Sequence, residues 1–246
     1  MSRRGGALAQ LTDAASACYR AAGPFAWRFA RAKLALDPVF SAILAHGLLA
    51  ERARILDLGC GQGLLAAWLL AAHACRAGGA PGVWPAGWPA PPKVESYRGV
   101  EINPREVARA RRAFALDPGA ARVQIVHGDI RDVDYAAADA VVLLDVLHYL
   151  DYPAQEKVLQ RVRRALVPQG VLLLRIGDAA GGAGFLLSQA VDGTVALLRR
   201  RRWVRLHCRA LAAWQALLGR CGFRAQALPM SAGTPFVNVL LRAELA

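Results

Sequence analysis

A short apolar run at residues 54–58, Arg54-Ile55-Leu56-Asp57-Leu58, breaks into Gly59-Cys60-Gly61-Gln62-Gly63 and then into a helix-forming stretch over residues 64–76. Three glycines at alternate positions, placed between a buried strand and a helix, let the backbone come close to a ligand. They also aim the first amides of the helix at that ligand. An ordinary strand-to-helix turn does not need three of them. The spacing is G-x-G-x-G, one residue tighter than the dinucleotide fingerprint G-x-G-x-x-G.

From this turn onward, β-rich runs alternate with helical stretches, the pattern of a parallel sheet with covering helices. Strands are expected at residues 54–58, 97–102, 122–127, 138–145 and 171–176, with helices at 64–76, 105–116 and 153–167. Pro104 suits a first helical turn, where its missing N–H costs nothing. A last helix over residues 210–221 stops at Gly222. Two closing strands, 223–228 and 236–242, are joined by a turn-rich connector short enough for an antiparallel hairpin. The expectation is a single α/β domain over residues 1–246: a Rossmann-like seven-stranded sheet, mostly parallel with a C-terminal antiparallel hairpin and helices on both faces. Residues 1–50 read as a helical cap and 51–246 as the core. Two insertions interrupt it, a Gly/Pro-rich loop at 78–92 carrying Trp84 and Trp88 and a segment at 179–209. Proline this dense forbids helix or central strand, so the first insertion is either a lid or a disordered loop.

Composition narrows the classes further. Hydrophobic residues make up 55% of the chain, which excludes a disordered protein. No window of about 18 residues, the length a membrane span needs, is free of charge or Gly/Pro interruption, and residues 1–19 contain no apolar secretory core. The five cysteines, Cys18, Cys60, Cys75, Cys208 and Cys221, are scattered and form no C-x-x-C pair. Neither a disulfide framework nor a metal site is expected, and a reduced cytoplasmic compartment fits. The net charge of +13 comes from 28 arginines and three lysines, most of them dispersed along helices as solvated charge. The dense run is Arg199-Arg200-Arg201-Arg202, followed by Trp203, Arg205 and Arg209.

Ile55 to Gly63 resembles the first motif of the class I S-adenosylmethionine (SAM) dependent methyltransferases, and later pieces follow in that family's order. Glu101 closes Gly99-Val100-Glu101-Ile102-Asn103, Gly128-Asp129-Ile130 follows the third strand, and Asp145-Val146-Leu147-His148-Tyr149 follows the fourth. Pro168-Gln169-Gly170 precedes the fifth strand, and the terminal hairpin matches the family's last two. The resemblance implies SAM as cofactor, S-adenosylhomocysteine (SAH) as product and no metal. It places Asp57, Gly59, Cys60, Gly61 and Gly63 at the cofactor, with Glu101 and Ile102 at the ribose. Asp129 and Ile130 fall at the adenine, and Asp145 and Val146 at the methionine end. Lys33 or Arg31 from the cap is a candidate for the cofactor carboxylate. A ribose diol does want a carboxylate acceptor, and the adenine amine wants an acceptor too. Glu101 lies 42 residues past Gly59, beyond the about 20 residues of a compact unit; the 78–92 insertion accounts for the excess.

The activated methyl of SAM needs alignment and exclusion of water more than side-chain chemistry. A hydroxyl acceptor adds the need for a base, for which His148 is the first candidate and Tyr149 and Asp178 are lesser ones. Residues 185–198 are apolar enough to line an acceptor pocket, so the expected acceptor is small, apolar, aromatic, or lipid- or carrier-linked, methylated at oxygen. The Arg199–202 run offers a dock for an acidic carrier protein or an anionic membrane surface. A nucleic-acid acceptor is disfavoured: no Asn/Asp-Pro-Pro-aromatic motif follows the fourth strand, there is no Pro-Cys pair, and no nucleic-acid-binding appendage is visible. The alternatives are an RNA or protein methyltransferase, a NAD-dependent oxidoreductase, or a SAM-binding protein without catalysis. Oligomeric state is not legible.

Overall fold

The computed structural model describes residues 3–78, 84–177, 206–230 and 238–246. The chain enters through helices α1 (Arg3–Ala17), α2 (Pro24–Leu36) and α3 (Pro38–Ala45), with a 3-10 turn (Cys18–Ala22) after α1. Next come β1 (Arg52–Leu58), α4 (Leu64–Ala77), β2 (Lys93–Glu101), α5 (Pro104–Phe114) and β3 (Val123–His127). They are followed by β4 (Ala138–Leu144), α6 (Tyr152–Ala165), β5 (Leu166–Gly177), α7 (Leu211–Arg220), β6 (Phe223–Pro229) and β7 (Asn238–Leu245). The seven strands lie in the order β3-β2-β1-β4-β5-β7-β6. β1 and β3 each pair parallel to β2, whereas β7 runs antiparallel to both β5 and β6.

The chain divides into two compact units, residues 1–133 with Ala138–Ala140, and Asp134–Ala137 with Val141–Ala246. In the first, α1 packs on α4 and α2, and the 3-10 turn packs on α5. Phe40 of α3 meets Trp68 of α4 edge-on, and the Trp68 indole donates to the Phe40 carbonyl at 2.8 Å. In the second unit, Val158, Leu159 and Val162 of α6 and Trp214, Leu217 and Leu218 of α7 are buried. The run from Val171 to Ile176 is buried at every position, which requires cover on both faces of the strand. Each such Leu or Val contributes about 1.5–3 kcal/mol relative to exposure.

Three boundaries differ from the sequence expectation. α6 stops at Ala165 and β5 begins at Leu166, because Pro168 holds the residue before it in an extended conformation. β2 begins at Lys93, not at residue 97. β7 runs over Asn238–Leu245, and the connector 231–237 lies outside the described residues. The described part of the Gly/Pro-rich insertion from Trp84 onward leads into the amino end of β2, and Pro89 packs against Gly47. Trp84 and Trp88 meet edge-to-face at 5.7 Å in this stretch. Among the described residues no helix is long and apolar enough to cross a membrane.

Candidate cofactor and acceptor sites

The parallel register pairs Asp57 with Gly99 and Leu58 with Val100. Glu101 thereby ends level with the start of the glycine turn. Its carboxylate accepts from the Gly61 amide at 3.0 Å and from the Asn103 amide at 2.7 Å, one bond to each oxygen. Each oxygen keeps a further lone pair, so the group retains capacity for two hydroxyl donors. Asn103 also caps α5 by accepting from the Arg105 amide. Ile102, next to Glu101, is 41% exposed, an apolar side chain left at the strand end.

The glycine turn is built differently from the simplest sequence reading. The Gly59 and Cys60 amides donate to the Val100 carbonyl at 2.8 and 3.0 Å, and the Gly63 amide donates to the Cys60 carbonyl. Together with the Gly61 bond to Glu101, the turn's own amides at 59, 60, 61 and 63 thus have protein partners. What the turn offers a ligand is room. Gly59, Gly61 and Gly63 all adopt positive φ, and a Cβ on Gly61 would meet nothing within 4 Å. A Cβ on Gly63 would instead lie 2.8 Å from the Phe114 ring, so that glycine serves packing. The Cys60 thiol is buried against Gly99, and burial pushes its pKa well above the usual range.

Two tyrosines that sequence reasoning passed over hold this turn. Tyr19, fully buried, donates to the Gln62 carbonyl at 2.8 Å and lies edge-on to Phe114. Tyr97 donates to the Asp57 carboxyl. Asp57 is 4% exposed and turned into the core. Burial pushes its pKa up to about 7, against the Tyr97 hydrogen bond and with the help of Glu101. The folded chain therefore keeps a proton between pH about 4 and 7 that the unfolded chain releases. That stability, about 4 kcal/mol at most, is full below the unfolded pKa and is lost as pH rises toward 7. Asp57→Asn should remove this dependence. Urea unfolding should show the variant gaining on the native chain as pH climbs from about 4 to about 7; parallel pH profiles would refute the assignment.

The remaining candidates in this unit have protein partners. Asp129, after β3, accepts from the amide and guanidinium of Arg131, with Nη2 at 2.6 Å, and Ile130 beside it is buried. Lys33 pairs with Asp37 at 2.7 Å, and Arg31 pairs with Asp13 at 2.7 Å.

In the second unit, Asp145 leaves β4 with φ +59, a left-handed conformation strained for a non-glycine residue. The guanidinium of Arg175, 3% exposed on β5, forks onto its carboxylate through Nε (2.8 Å) and Nη2. Val146 follows, half-buried, and a 3-10 turn (Leu147–Tyr149) carries His148, whose ring lies 4.3 Å from that of Tyr149. Burial holds the His148 pKa below its usual value, opposed by Asp145 and reinforced by Arg175. Its imidazole is neutral at physiological pH. Gln155, fully buried on α6, fixes the turn: its amide lies within 3.1 Å of the Leu147, Leu150 and His207 carbonyls. Arg209 in turn donates to the Gln155 oxygen and covers the Tyr152 ring. Arg209 is thus part of this support and not of a free basic patch. Asp178, residues 185–198, the Arg199–202 run, Trp203 and Arg205 lie outside the described residues. Among the described residues no cluster of His, Cys, Asp and Glu is arranged to hold a metal, and all five cysteines are free.

A Rossmann-like sheet with an antiparallel terminal pair, a glycine turn after β1 and an acid closing β2 define a nucleoside-cofactor protein of the methyltransferase type. Residues 56–172 match the family model described as a methyltransferase domain. Over that stretch, just under half of its length, the chain carries a domain of the SAM-dependent methyltransferases, enzymes that draw their methyl group from that cofactor. A carboxy-S-adenosyl-L-methionine synthase of Chromohalobacter salexigens is 35% identical over 133 residues, 52% of this chain and 43% of that protein. The chain thus spans less than half the length of that relative. Among solved structures, an O-methyltransferase family protein from Burkholderia thailandensis has a TM-score of 0.63 at 20% identity, over 92% of this chain and 62% of that one. The magnesium protoporphyrin IX methyltransferase of Synechocystis, solved with SAH, gives 0.59 at 18% identity, over 91% and 88%. The pyocyanin biosynthetic protein PhzM gives 0.61 at 21% identity, over 91% and 59%. At such identities these likenesses concern the fold.

Proposed function

We propose that the chain binds SAM at the glycine turn and transfers its methyl group to a small, apolar or aromatic acceptor, free or linked to a lipid or carrier, at oxygen. One observation carries the reading: the open cradle at Gly61 stands beside a carboxylate with two unused lone pairs. Glu101 would take the ribose hydroxyls, and exposed Ile102 would pack on the adenine. Asp129 would reach the adenine amine by exchanging a bond with Arg131. Val146, at the end of β4, would line the methionine end. Asp145 would complete that end, held in place by Arg175. When bound, SAM supplies a sulfonium-activated methyl; the chain's task is orientation, dryness and proton removal.

A hydroxyl acceptor must lose its proton, and neutral His148 is able to take it. Tyr149, its ring tilted by 51° against the imidazole, would orient it. His148→Ala should lower kcat by about 10²–10⁴-fold with SAH affinity unchanged. Native activity should hold below pH 6.5, because the buried imidazole stays neutral there. A kcat within a factor of about two of native would remove His148 from the mechanism.

The oxygen acceptor is supported by the O-methyltransferase family protein of Burkholderia thailandensis among the structural neighbours. Calorimetric titration with SAH and with NADH, then incubation of labelled SAM with cell extract, tests the whole reading. SAH binding with label in a small molecule supports it; NADH binding, or label in RNA or protein, overturns it. The named relative supplies one rival chemistry. Recovery of the cofactor heavier by a carboxylate, with no methylated acceptor, would assign that chemistry instead.

A further inference from the structure

α2 folds with its bulk on the wrong side for a helix that only supports a core. The side chains it buries are Ala26, Ala30 and Leu34. Two of its large apolar residues face out: Phe25 is 63% exposed and Leu36 74%, while Trp27 and Phe29 are half-buried. With Phe29 and Ala32, Phe25 and Leu36 follow 4-3-4 spacing along one side of the helix. Phe25 and Phe29 stack at 6.4 Å, so the stripe is continuous and not a scatter of single residues.

The surroundings of this stripe are basic. α2 holds Arg28, Arg31 and Lys33 and no acid. Arg28 is exposed on the stripe side. On α5, Arg105, Arg109 and Arg112 follow helical spacing, and the Arg109 guanidinium sits 4.7 Å from the Phe25 ring centre. The nearby acids are engaged: Asp13 with Arg31, Asp37 with Lys33, and buried Glu106 with Arg109. A chain of net charge +13 repels a second copy of itself and attracts an anionic surface. Aromatic and leucine side chains in line, flanked by arginine, are what an in-plane helix presents to acyl chains and lipid phosphates.

We propose that the exposed face of α2, flanked by the α5 arginines, docks the protein peripherally on an anionic bilayer. The phosphates take Arg28, Arg105 and Arg112, while Phe25, Phe29 and Leu36 enter the headgroup boundary. This surface does not depend on the methyl-transfer reading, and none of its residues belongs to the proposed cofactor or acceptor sites.

The test is co-sedimentation of the full chain with vesicles of phosphatidylcholine alone or with about a quarter phosphatidylglycerol. The native chain should pellet with the anionic vesicles, stay in solution with the neutral ones, and release as salt rises. Phe25→Ser with Leu36→Ser should weaken partitioning roughly tenfold or more, and Arg28→Glu about fivefold. SAH affinity and thermal midpoint should be unchanged in both, which separates this result from failure of the cofactor assignment. A native chain that ignores anionic vesicles, or a double variant that partitions equally, overturns the proposal. A concentration-dependent dimer lost in the double variant would give the stripe to a second copy and overturn it as well.

Discussion

Gly61→Val should abolish measurable SAH binding while leaving a folded chain. Gly61 adopts φ +57, and a Cβ there meets no protein atom within 4 Å. The first added carbon therefore meets no protein atom. The cost of the substitution is the left-handed backbone, about 1–2 kcal/mol and somewhat more for a β-branched residue, which a domain of ordinary stability survives. The added carbons would occupy the space that the nucleoside needs. The expected calorimetric result is loss of at least about 100-fold in affinity, with a thermal midpoint lowered by only a few degrees. Gly63→Val is the contrasting variant. There the Cβ would strike the Phe114 ring, so stability should fall first. Native SAH affinity in folded Gly61→Val would remove the turn from the cofactor site.

Glu101→Ala should weaken SAH by roughly 1–3 kcal/mol beyond any general loss of stability, the usual cost of losing a charged hydrogen-bond partner. The structure adds a reason for the upper end. The same carboxylate holds the Gly61 and Asn103 amides, so its removal frees the glycine turn and also takes away the proposed ribose acceptor. Glu101→Gln separates the two roles, since an amide oxygen still accepts one of those bonds while its NH₂ cannot accept from a hydroxyl. If Gln restores the thermal midpoint but not the affinity, the carboxylate contacts the ligand. Restoration of both would leave Glu101 a support for the turn alone.

The strands and helices around the cofactor turn were legible because their signals are local. Glycine spacing, Pro104 in a first helical turn and Gly222 after the last helix each act within a few residues. The end of α6 was misjudged because the helical pattern of residues 153–167 outweighed the effect of one proline on its neighbour. Glu101 and Gly61 were named in advance, but their direct bond was not. It depends on a register that is not encoded locally, since the two positions stand 40 apart in sequence. Tyr19 and Arg175 left no sequence signal at all, being a lone aromatic in a turn and a lone cation within an apolar strand. Asp145 was placed at the methionine end from resemblance alone, and its Arg175 partner emerged only from folding.

The Tyr19 hydroxyl on the Gln62 carbonyl means that the leading helices are not a detachable module. A fragment begun at residue 51 would keep every strand yet leave that carbonyl, and the ring of Phe114, facing solvent. Anyone seeking a smaller folded fragment of this chain should therefore cut elsewhere, because the shape of the glycine turn and the first fifty residues are inherited together.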